Sequence, residues 1–266
     1  MTHPRTGMPQ AWSNVAREYR RYIAPDFAPA ARQLCRAVGI TAGDRVLDIA
    51  CGPGTAAFAA RERGAVRVVG VDYARGMCAA AREDPRGIPP LHCVVADALC
   101  LPFATAGFDV VISSFGLVFA ADPFVAAAEA ARVLRPGGRL GLLAWPPGGS
   151  IGAYQEAAFR YLAVPQGAHD PFQWGVPWRA RAWLGAAFDS VEFDPIEVPF
   201  EAASPAAAWA VLRTATGRVS AGYAELNDEA RARLDAEMEQ FFEVFRRTDG
   251  RVYWPREAFV IRGVRS

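Results

Sequence analysis

Apolar residues recur along the chain in short runs separated by amphipathic stretches, and the alternation is regular from residue 41 to residue 145. Five apolar runs predict strands, at residues 45–50, 66–72, 91–97, 108–114 and 139–145. Three intervening stretches predict helices, at residues 55–64, 74–84 and 122–134. Strands that are apolar on both faces and alternate with helices are typical of a parallel sheet covered on both sides.

The pattern changes on either side of this segment. Before it, two amphipathic stretches at 11–23 and 27–38 predict helices separated by Pro25. After it, residues 146–183 are rich in glycine, proline and aromatic residues. Three further elements are predicted beyond that linker: a strand at 190–200, a charged helical stretch at 204–247 and a last strand at 257–265. Because no strand–helix repeat joins the last two strands, we expect the sheet to end in a reversed, hairpin-like edge.

Together these elements predict an α/β fold: a doubly wound, Rossmann-like sheet of seven mostly parallel strands, with N-terminal helices and a C-terminal helical lid insertion. The expected domains are a helical cap at 1–40, a ligand-binding core at 41–200, the lid insertion at 201–250 and the last strand of the core sheet at 251–266. Ligands of such sheets bind at the carboxyl ends of the strands.

Composition narrows the possible partners. The net charge is +1, from 29 basic and 28 acidic residues, so no global field recruits nucleic acid or an anionic membrane. The first dozen residues contain no apolar stretch of signal-peptide length, and we expect a cytoplasmic protein. Five scattered cysteines without a C-x-x-C pair indicate a reducing compartment and predict no metal site. Either a monomer or a homodimer is compatible with this composition.

One strand-to-helix turn, VLDIACGPGTAA at 46–57, combines an acid with glycines and small residues. Its spacing Gly52-x-Gly54-x-x-Ala57 fits a relaxed dinucleotide fingerprint, but dinucleotides and S-adenosylmethionine both bind at this turn of an α/β sheet. The turn by itself leaves both ligands open. Asp48 favours S-adenosylmethionine, because a carboxylate there would face a pyrophosphate but could anchor the ammonium group of an amino acid, directly or through water.

Two further acids follow the next predicted strands. Asp72 ends the second strand and can accept hydrogen bonds from both hydroxyls of a ribose, which serves either ligand. Asp97 comes just after the third strand, where it could accept from an adenine amino group while Ala98 or Leu99 offers its backbone amide. A dinucleotide fingerprint requires nothing at that place, so Asp97 also favours S-adenosylmethionine.

Four motifs, taken in order, resemble those of the class I S-adenosylmethionine-dependent methyltransferases, and most of all the group related to the ubiquinone and menaquinone biosynthesis methyltransferases. The motifs are VLDIACGPG (46–54), VVGVDYARGM (68–77), VVADALCLPFATAGFDVVISSFGLVFAAD (94–122) and RVLRPGGRLGLLAW (132–145). The resemblance covers about residues 11–145. The C-terminal third is similar to the group only in general plan.

The resemblance implies S-adenosylmethionine as the cofactor, S-adenosylhomocysteine as its product, and a set of binding residues. Backbone of the glycine loop would line the methionine moiety, at Ala50, Cys51, Gly52 and Gly54, together with Ser113 and Ser114 after the fourth strand. Asp72 would hold the ribose, Tyr73 and Met77 would flank the adenine, and Asp97 with Ala98 would read its edge. Tyr19 matches a family position on an N-terminal helix that closes over the cofactor.

The acceptor side is less defined. Phe115 and Trp145 are expected to line the acceptor site, and Trp174 and Trp178 could form its roof. Such an aromatic, largely neutral pocket suits an apolar or planar small molecule, such as a secondary metabolite, a quinone precursor or a polyketide. Several family members carry a histidine pair where this chain reads SFGLVFAAD, so no catalytic base is assigned. His169 is the one histidine that could overhang the pocket.

Three functions follow from these residues. Methyl transfer to a small-molecule acceptor is the leading one. The missing histidine pair leaves open a cofactor-binding protein of the same fold with a non-methylating activity, for instance a cyclase. A nicotinamide-dependent oxidoreductase is the third, and Asp48 and Asp97 argue against it.

Overall fold

The computed structural model describes residues 8–83, 89–163, 169–185 and 187–266. Its strands are β1 Arg45–Ile49, β2 Arg67–Asp72, β3 His92–Val95, β4 Phe108–Ser114, β5 Leu134–Ala144, β6 Phe188–Glu197, β7 Phe200–Ala202, β8 Val252–Trp254 and β9 Glu257–Arg265. Its α-helices are α1 Met8–Asn14, α2 Ala16–Glu18, α3 Ala24–Ala37, α4 Thr55–Glu62, α5 Arg75–Arg82, α6 Pro123–Val133, α7 Gly149–Phe159, α8 Pro177–Leu184, α9 Pro205–Ala215, α10 Gly217–Ala224 and α11 Asp228–Glu243. Residues 1–7 of the predicted cap and residue 84 of the predicted helix 74–84 lie outside the described residues.

Seven strands form one sheet in the order β3-β2-β1-β4-β5-β9-β6. Neighbours from β3 to β5 are parallel, whereas β9 runs antiparallel to both β5 and β6. The predicted seven-stranded, mostly parallel sheet with a reversed edge is therefore confirmed. A second dinucleotide-binding half would instead continue the parallel order.

Apolar runs form these strands because the sheet is covered on both faces. In β1, Val46 and Leu47 are fully buried and belong to two different hydrophobic clusters, one on each face. Burying such a side chain contributes about 1.5–3 kcal/mol to folding. None of the helices among the described residues combines the length and the apolar character that a membrane crossing needs.

The N-terminal helices are joined more closely than expected. The chain passes from α2 through one π-helical turn, Tyr19–Ile23, directly into α3. Pro25 was expected to separate two helices, but it lies in the first turn of α3, where a missing N–H removes no intrahelical hydrogen bond. This continuity carries Tyr19 and Phe27 on one helical arm.

The aromatic-rich linker at 146–183 contains helices that its glycine- and proline-rich composition did not predict. Helix α7, a 3₁₀ turn at Pro171–Gly175 and helix α8 lie within it. Pro171 and Pro177 each stand at the first helical position, so these prolines start helices rather than break them.

Between β6 and β9 the chain forms α9, α10 and α11, bracketed by the small antiparallel sheet of β7 and β8. Ser204 and Asn227 cap α9 and α11 with side-chain oxygens that accept from backbone amides. Asp235 on α11 accepts from Trp209 (2.6 Å) and Arg213 (2.8 Å) of α9. We call residues 201–254 the insertion.

Candidate active site

Two strained backbone positions mark the carboxyl ends of β1 and β4. Ala50 (φ 53°) and Phe115 (φ 58°) directly follow these neighbouring strands and are non-glycine residues in the left-handed region. A side chain at Gly116 would put its Cβ 2.4 Å from the carbonyl oxygen of Ala50, so the two loops can touch only through glycine. Strain of this kind persists where packing enforces it and is concentrated at functional sites.

The glycine loop after β1 presents bare backbone to open space. Gly52 (φ 54°) has no heavy atom within 4 Å of where a Cβ would lie, and it lines the cavity. Gly54 (φ 89°) caps α4 and packs against Phe58 and Leu91 instead, so it supports the loop from behind.

Asp72 at the end of β2 fastens this loop and faces the same cavity. Its two carboxylate oxygens accept from the backbone amides of Gly52 (2.8 Å) and Ala74 (2.8 Å). Burial nevertheless raises the pKa of Asp72 to about 6, because the hydrogen bonds offset only part of the desolvation of the charge. Each oxygen keeps a free lone pair for a further donor.

Asp48 lies behind the loop rather than in the cavity wall. It is fully buried, and one oxygen accepts from the amide of Ala57 (2.9 Å) in the first turn of α4. The other oxygen has no partner among the described residues. Burial raises the pKa of Asp48 to about 8.

The turn after β3 is held by Asp97, whose side chain accepts from the amide of Leu99 (3.0 Å). The two serines that end β4 have different positions. Ser113 is buried and bridges the strand ends, donating to the carbonyl of Ile49 (2.6 Å) and accepting from the amide of Leu117 (2.8 Å). Ser114 lines the cavity, and its buried hydroxyl has no partner among the described residues.

These strand ends open into one cavity of about 530 Å³. Twelve residues singled out from the sequence line it: Tyr19, Ala50, Cys51, Gly52, Asp72, Tyr73, Met77, Asp97, Ala98, Leu99, Ser114 and Phe115. Six others do not: Asp48, Gly54, Ser113, Trp145, Trp174 and Trp178.

The three tryptophans expected at the acceptor site lie elsewhere. Trp145 stacks on Phe115 with 4.0 Å between ring centroids and so lies one layer behind the cavity. Trp174 is fully buried against Trp183. Trp178 is 65% exposed, with the guanidinium of Arg179 over its ring.

Several further residues line the cavity. They come from the N-terminal arm (residues 8–37), from the segment after β4, from the loop before α8 and from the insertion: Met8, Trp12, Phe27, Phe119, Asp122, Val125, His169 and Arg218. His169 is the histidine that the sequence placed over the pocket, and Phe119 and Asp122 lie in the motif at 94–122 without having been given a role. The other five carried no motif signal. Trp12 could have been found as the aromatic residue of a predicted amphipathic helix. Arg218 had no local signal, because only tertiary packing brings α10 against α1.

His169 is the one imidazole among the described lining residues. Its ring packs edge-on against Trp183, and its Nε2 is buried without a partner in the described part of the chain. Burial lowers the pKa of His169, which favours the neutral form at physiological pH.

Arg256 lies beneath the cavity in an aromatic cage. Its guanidinium lies 5.2–5.4 Å from the ring centroids of Phe27, Trp145, Phe200 and Trp254. Its Nε donates to the carbonyl of Val198 (2.9 Å). Burial lowers the pKa of Arg256 to about 10, so the side chain stays charged at neutral pH and ties the insertion to the N-terminal arm.

All five cysteines are free thiols. Cys51, Cys93 and Cys78 form a buried row, with 3.5 Å between the first two sulfur atoms. Within the described ranges, no group of three or more His, Cys, Asp or Glu side chains is arranged to hold a metal ion.

Sequence relatives match the part of the chain that builds this site. The family described as a methyltransferase domain matches residues 47–142. A demethylmenaquinone methyltransferase of Mycobacterium sp. (strain KMS) is 44% identical over 109 residues, which cover 41% of this chain and 45% of the relative. The chain thus spans about half the length of the first curated relatives it matches.

Another relative is covered more fully. The aklanonic acid methyltransferase DauC of Streptomyces sp. (strain C5) is 31% identical over 197 residues, which cover 68% of this chain and 86% of that protein.

Solved structures share the fold at lower identity. A SAM-dependent methyltransferase from Thermotoga maritima has 17% identity and a TM-score of 0.58, covering 97% of this chain and 100% of that one. The [4+2]-cyclase SpnF has 20% identity and a TM-score of 0.52, covering 88% and 80%. The sheet order, the glycine loop and these matches together show that the chain belongs to the S-adenosylmethionine-dependent methyltransferase family.

Proposed function

We propose that this chain transfers a methyl group from S-adenosylmethionine to a small-molecule acceptor in the cytoplasm. The observation that carries the proposal is the cavity at the carboxyl ends of β1 to β4, where the open backbone of Gly52 meets the carboxylates of Asp72 and Asp97. The free thiols fit a reducing compartment.

The polar groups of the cavity fit this cofactor. Asp72 offers free lone pairs that would accept from ribose hydroxyls, and Asp97 with the amide of Ala98 would read the adenine edge. Backbone at Gly52 and the unpartnered hydroxyl of Ser114 would contact the methionine moiety. Asp72 would serve the ribose of either ligand, whereas Asp97 at the adenine edge has no counterpart in a dinucleotide fingerprint, which disfavours a nicotinamide dinucleotide.

When bound, the cofactor supplies a methyl group on a positively charged sulfur. The residues of this chain would position that group, exclude water and hold the acceptor in line. Tyr19, Trp12 and Phe27 form an aromatic wall whose ring faces favour a cation. His169 lines the cavity and is neutral, so its imidazole would take a proton from an acceptor that must lose one.

The acceptor is proposed to be apolar or planar, such as a quinone precursor or a polyketide. Aromatic side chains that line the cavity support this class, because planar rings pack well against Trp12, Phe115 and Phe119. The names of two relatives agree with this class, since those proteins are called demethylmenaquinone and aklanonic acid methyltransferases.

Calorimetric titration tests the cofactor first. S-adenosylhomocysteine should bind the protein with one-to-one stoichiometry, and Asp72→Ala should weaken binding by about 100-fold or more, because buried charge-assisted hydrogen bonds are lost. Glu239→Ala, an exposed carboxylate on α11, is the matched control and should bind normally. Binding of NADH in place of S-adenosylhomocysteine would contradict the proposal.

Turnover is tested next with a labelled methyl donor and a panel of planar acceptors. A methylated product that disappears in Asp72→Ala supports methyl transfer. Cofactor binding with no methylated product across the panel would favour the non-methylating alternative.

A further inference from the structure

Arg218 lines the cavity from the insertion, and no hydrogen bond or ion pair holds its guanidinium among the described residues. It is the second residue of α10, it is half-buried, and its guanidinium lies over the ring of Phe159 at 4.9 Å. Arg213, one helix earlier in the insertion, is paired with Asp235 at 2.8 Å.

We infer that the acceptor carries a carboxylate on a planar apolar body and that the guanidinium of Arg218 holds this carboxylate. The inference rests on the proposed methyl transfer and narrows its substrate class. A guanidinium presents a planar fork of N–H donors that matches the two oxygens of a carboxylate.

Charge and burial favour an anion at this point. Burial lowers the pKa of Arg218, but an arginine remains protonated at neutral pH, so a cation is held partly out of water. The charges of Asp170 and Tyr73 act in the opposite direction and raise that pKa. An incoming carboxylate would compensate the lost hydration with charge-assisted hydrogen bonds.

The start of α10 adds to the positive potential. Thr216, which precedes the helix, provides no side-chain cap, because its hydroxyl donates to the carbonyl of Leu212 (2.6 Å). No side chain therefore caps the amino end of α10, and the partial positive charge of a helix amino terminus favours an anion.

Aromatic side chains near Arg218 would hold the body of the acid. The ring of Trp12 packs directly against the backbone of Gly217, and it lies 5.8 Å from the ring of Phe119. Both rings line the cavity. A planar acid could therefore lie on these rings while its carboxylate reaches the guanidinium.

The methionine part of the cofactor also carries a carboxylate. The experiment therefore has to distinguish a carboxylate of the acceptor from the carboxylate of the cofactor. Three variants are compared with the wild type: Arg218→Gln, Arg218→Lys and the control Arg233→Gln. Arg233 is an arginine of α11 that is 63% exposed and 3.6 Å from Glu229. Each protein is titrated with S-adenosylhomocysteine, then with 2-naphthoate and with 2-naphthamide, both with and without S-adenosylhomocysteine. The two naphthyl compounds differ only in the charged group.

The wild type should bind 2-naphthoate about tenfold more tightly than 2-naphthamide. Arg218→Gln should abolish the difference, Arg218→Lys should keep part of it, and Arg233→Gln should keep all of it. S-adenosylhomocysteine affinity should be the same in all four proteins. The unchanged S-adenosylhomocysteine affinity of Arg218→Gln shows that its loss of the difference is not caused by misfolding.

Equal affinities for the two compounds, or no binding of either, in the wild type would overturn the inference. A loss of S-adenosylhomocysteine affinity confined to Arg218→Gln and Arg218→Lys would assign Arg218 to the cofactor and overturn it as well. Failure of the wild type to bind S-adenosylhomocysteine would instead remove the proposed function, while the titrations without it would still decide what Arg218 binds.

Discussion

The cavity has two walls of different construction. The strand-end wall consists of Ala50–Gly52, Asp72, Asp97–Leu99 and Ser114–Gly116, and hydrogen bonds to the carboxylates of Asp72 and Asp97 hold much of its backbone. The helical wall consists of Met8, Trp12, Tyr19, Phe27, Phe119 and Arg218, and it is held mainly by packing of rings.

The different construction of the two walls suits them to different ligands. The strand-end wall lies within residues 47–142, which the methyltransferase-domain family matches, whereas Arg218 and the whole N-terminal arm lie outside that range. Backbone held by hydrogen bonds suits a cofactor that is common to a family. A wall of side chains from helices can change its shape with few substitutions, which suits an acceptor that differs between relatives.

The largest effect is expected where the strand-end wall is tightest. Gly116→Ala would place a methyl group 2.4 Å from the carbonyl oxygen of Ala50, so the two strand-end loops must separate. We expect a loss of about 1–3 kcal/mol in the free energy of unfolding and a parallel loss of S-adenosylhomocysteine affinity. Urea denaturation and calorimetry measure the two quantities.

Gly148→Ala is the matched control, because a Cβ there meets no heavy atom within 4 Å. Its stability and affinity should stay near those of the wild type. Normal cofactor binding by Gly116→Ala would show that contact between the two loops is not needed for the strand-end wall.

A second substitution loosens the helical wall alone. Asp235→Ala removes the acceptor shared by Trp209, Arg213 and Tyr223. Trp209 and Tyr223 lose their acceptor, and Arg213 keeps, among the described residues, only its hydrogen bond to the hydroxyl of Tyr223 (3.2 Å). We expect the insertion to lose about 1–3 kcal/mol of local stability, with faster amide hydrogen exchange in α9 to α11.

Affinity for S-adenosylhomocysteine should be unchanged in Asp235→Ala, because the strand-end wall is untouched. Asp228→Ala, whose side chain is fully exposed, is the control and should exchange like the wild type. A cofactor affinity that falls in Asp235→Ala but not in Asp228→Ala would show that the two walls are coupled.

The third prediction concerns pH and Asp48. Its pKa is 3.8 in an unfolded chain and about 8 when buried, so between these values the folded protein keeps a proton that the unfolded chain has lost. The contribution of Asp48 to stability therefore falls as the pH rises from about 4 to about 8 and levels off above that window. Asp48→Asn removes this loss while its amide oxygen can still accept from Ala57.

Thermal midpoints measured from pH 5 to pH 9 check this dependence. Asp48→Asn should melt higher than the wild type by about 4 °C or more at pH 8, and the gap should shrink towards pH 5. A gap that does not depend on pH would contradict the assignment of a protonated Asp48.

The smallest effect is expected at Trp178. Its side chain is 65% exposed and lies outside the cavity, so Trp178→Ala should change the free energy of unfolding by less than about 0.5 kcal/mol. Binding of S-adenosylhomocysteine and of planar acids should stay unchanged. Weaker binding of a planar acid would support the sequence prediction that Trp178 forms part of a roof over the acceptor site.

The sequence by itself determined the sheet and the strand-end wall. Apolar runs placed the strands of the core, and an acid or a glycine directly after a parallel strand must lie at the same edge of the sheet as its counterparts. For that reason Gly52, Asp72 and Asp97 could be located from spacing alone. Their positions depend on contacts that are local or repeat with a fixed period.

The tertiary structure alone decided the helical wall. Trp174 and Trp178 were expected over the cavity, but Trp174 is fully buried outside it and Trp178 is exposed to solvent. Trp12 and Arg218 line the cavity although no motif indicated them. Whether a side chain on a helix faces a cavity depends on how distant helices pack, and α10 meets α1 some 200 residues away in the chain. No local pattern encodes such a contact, because it is set by the summed packing of the whole molecule.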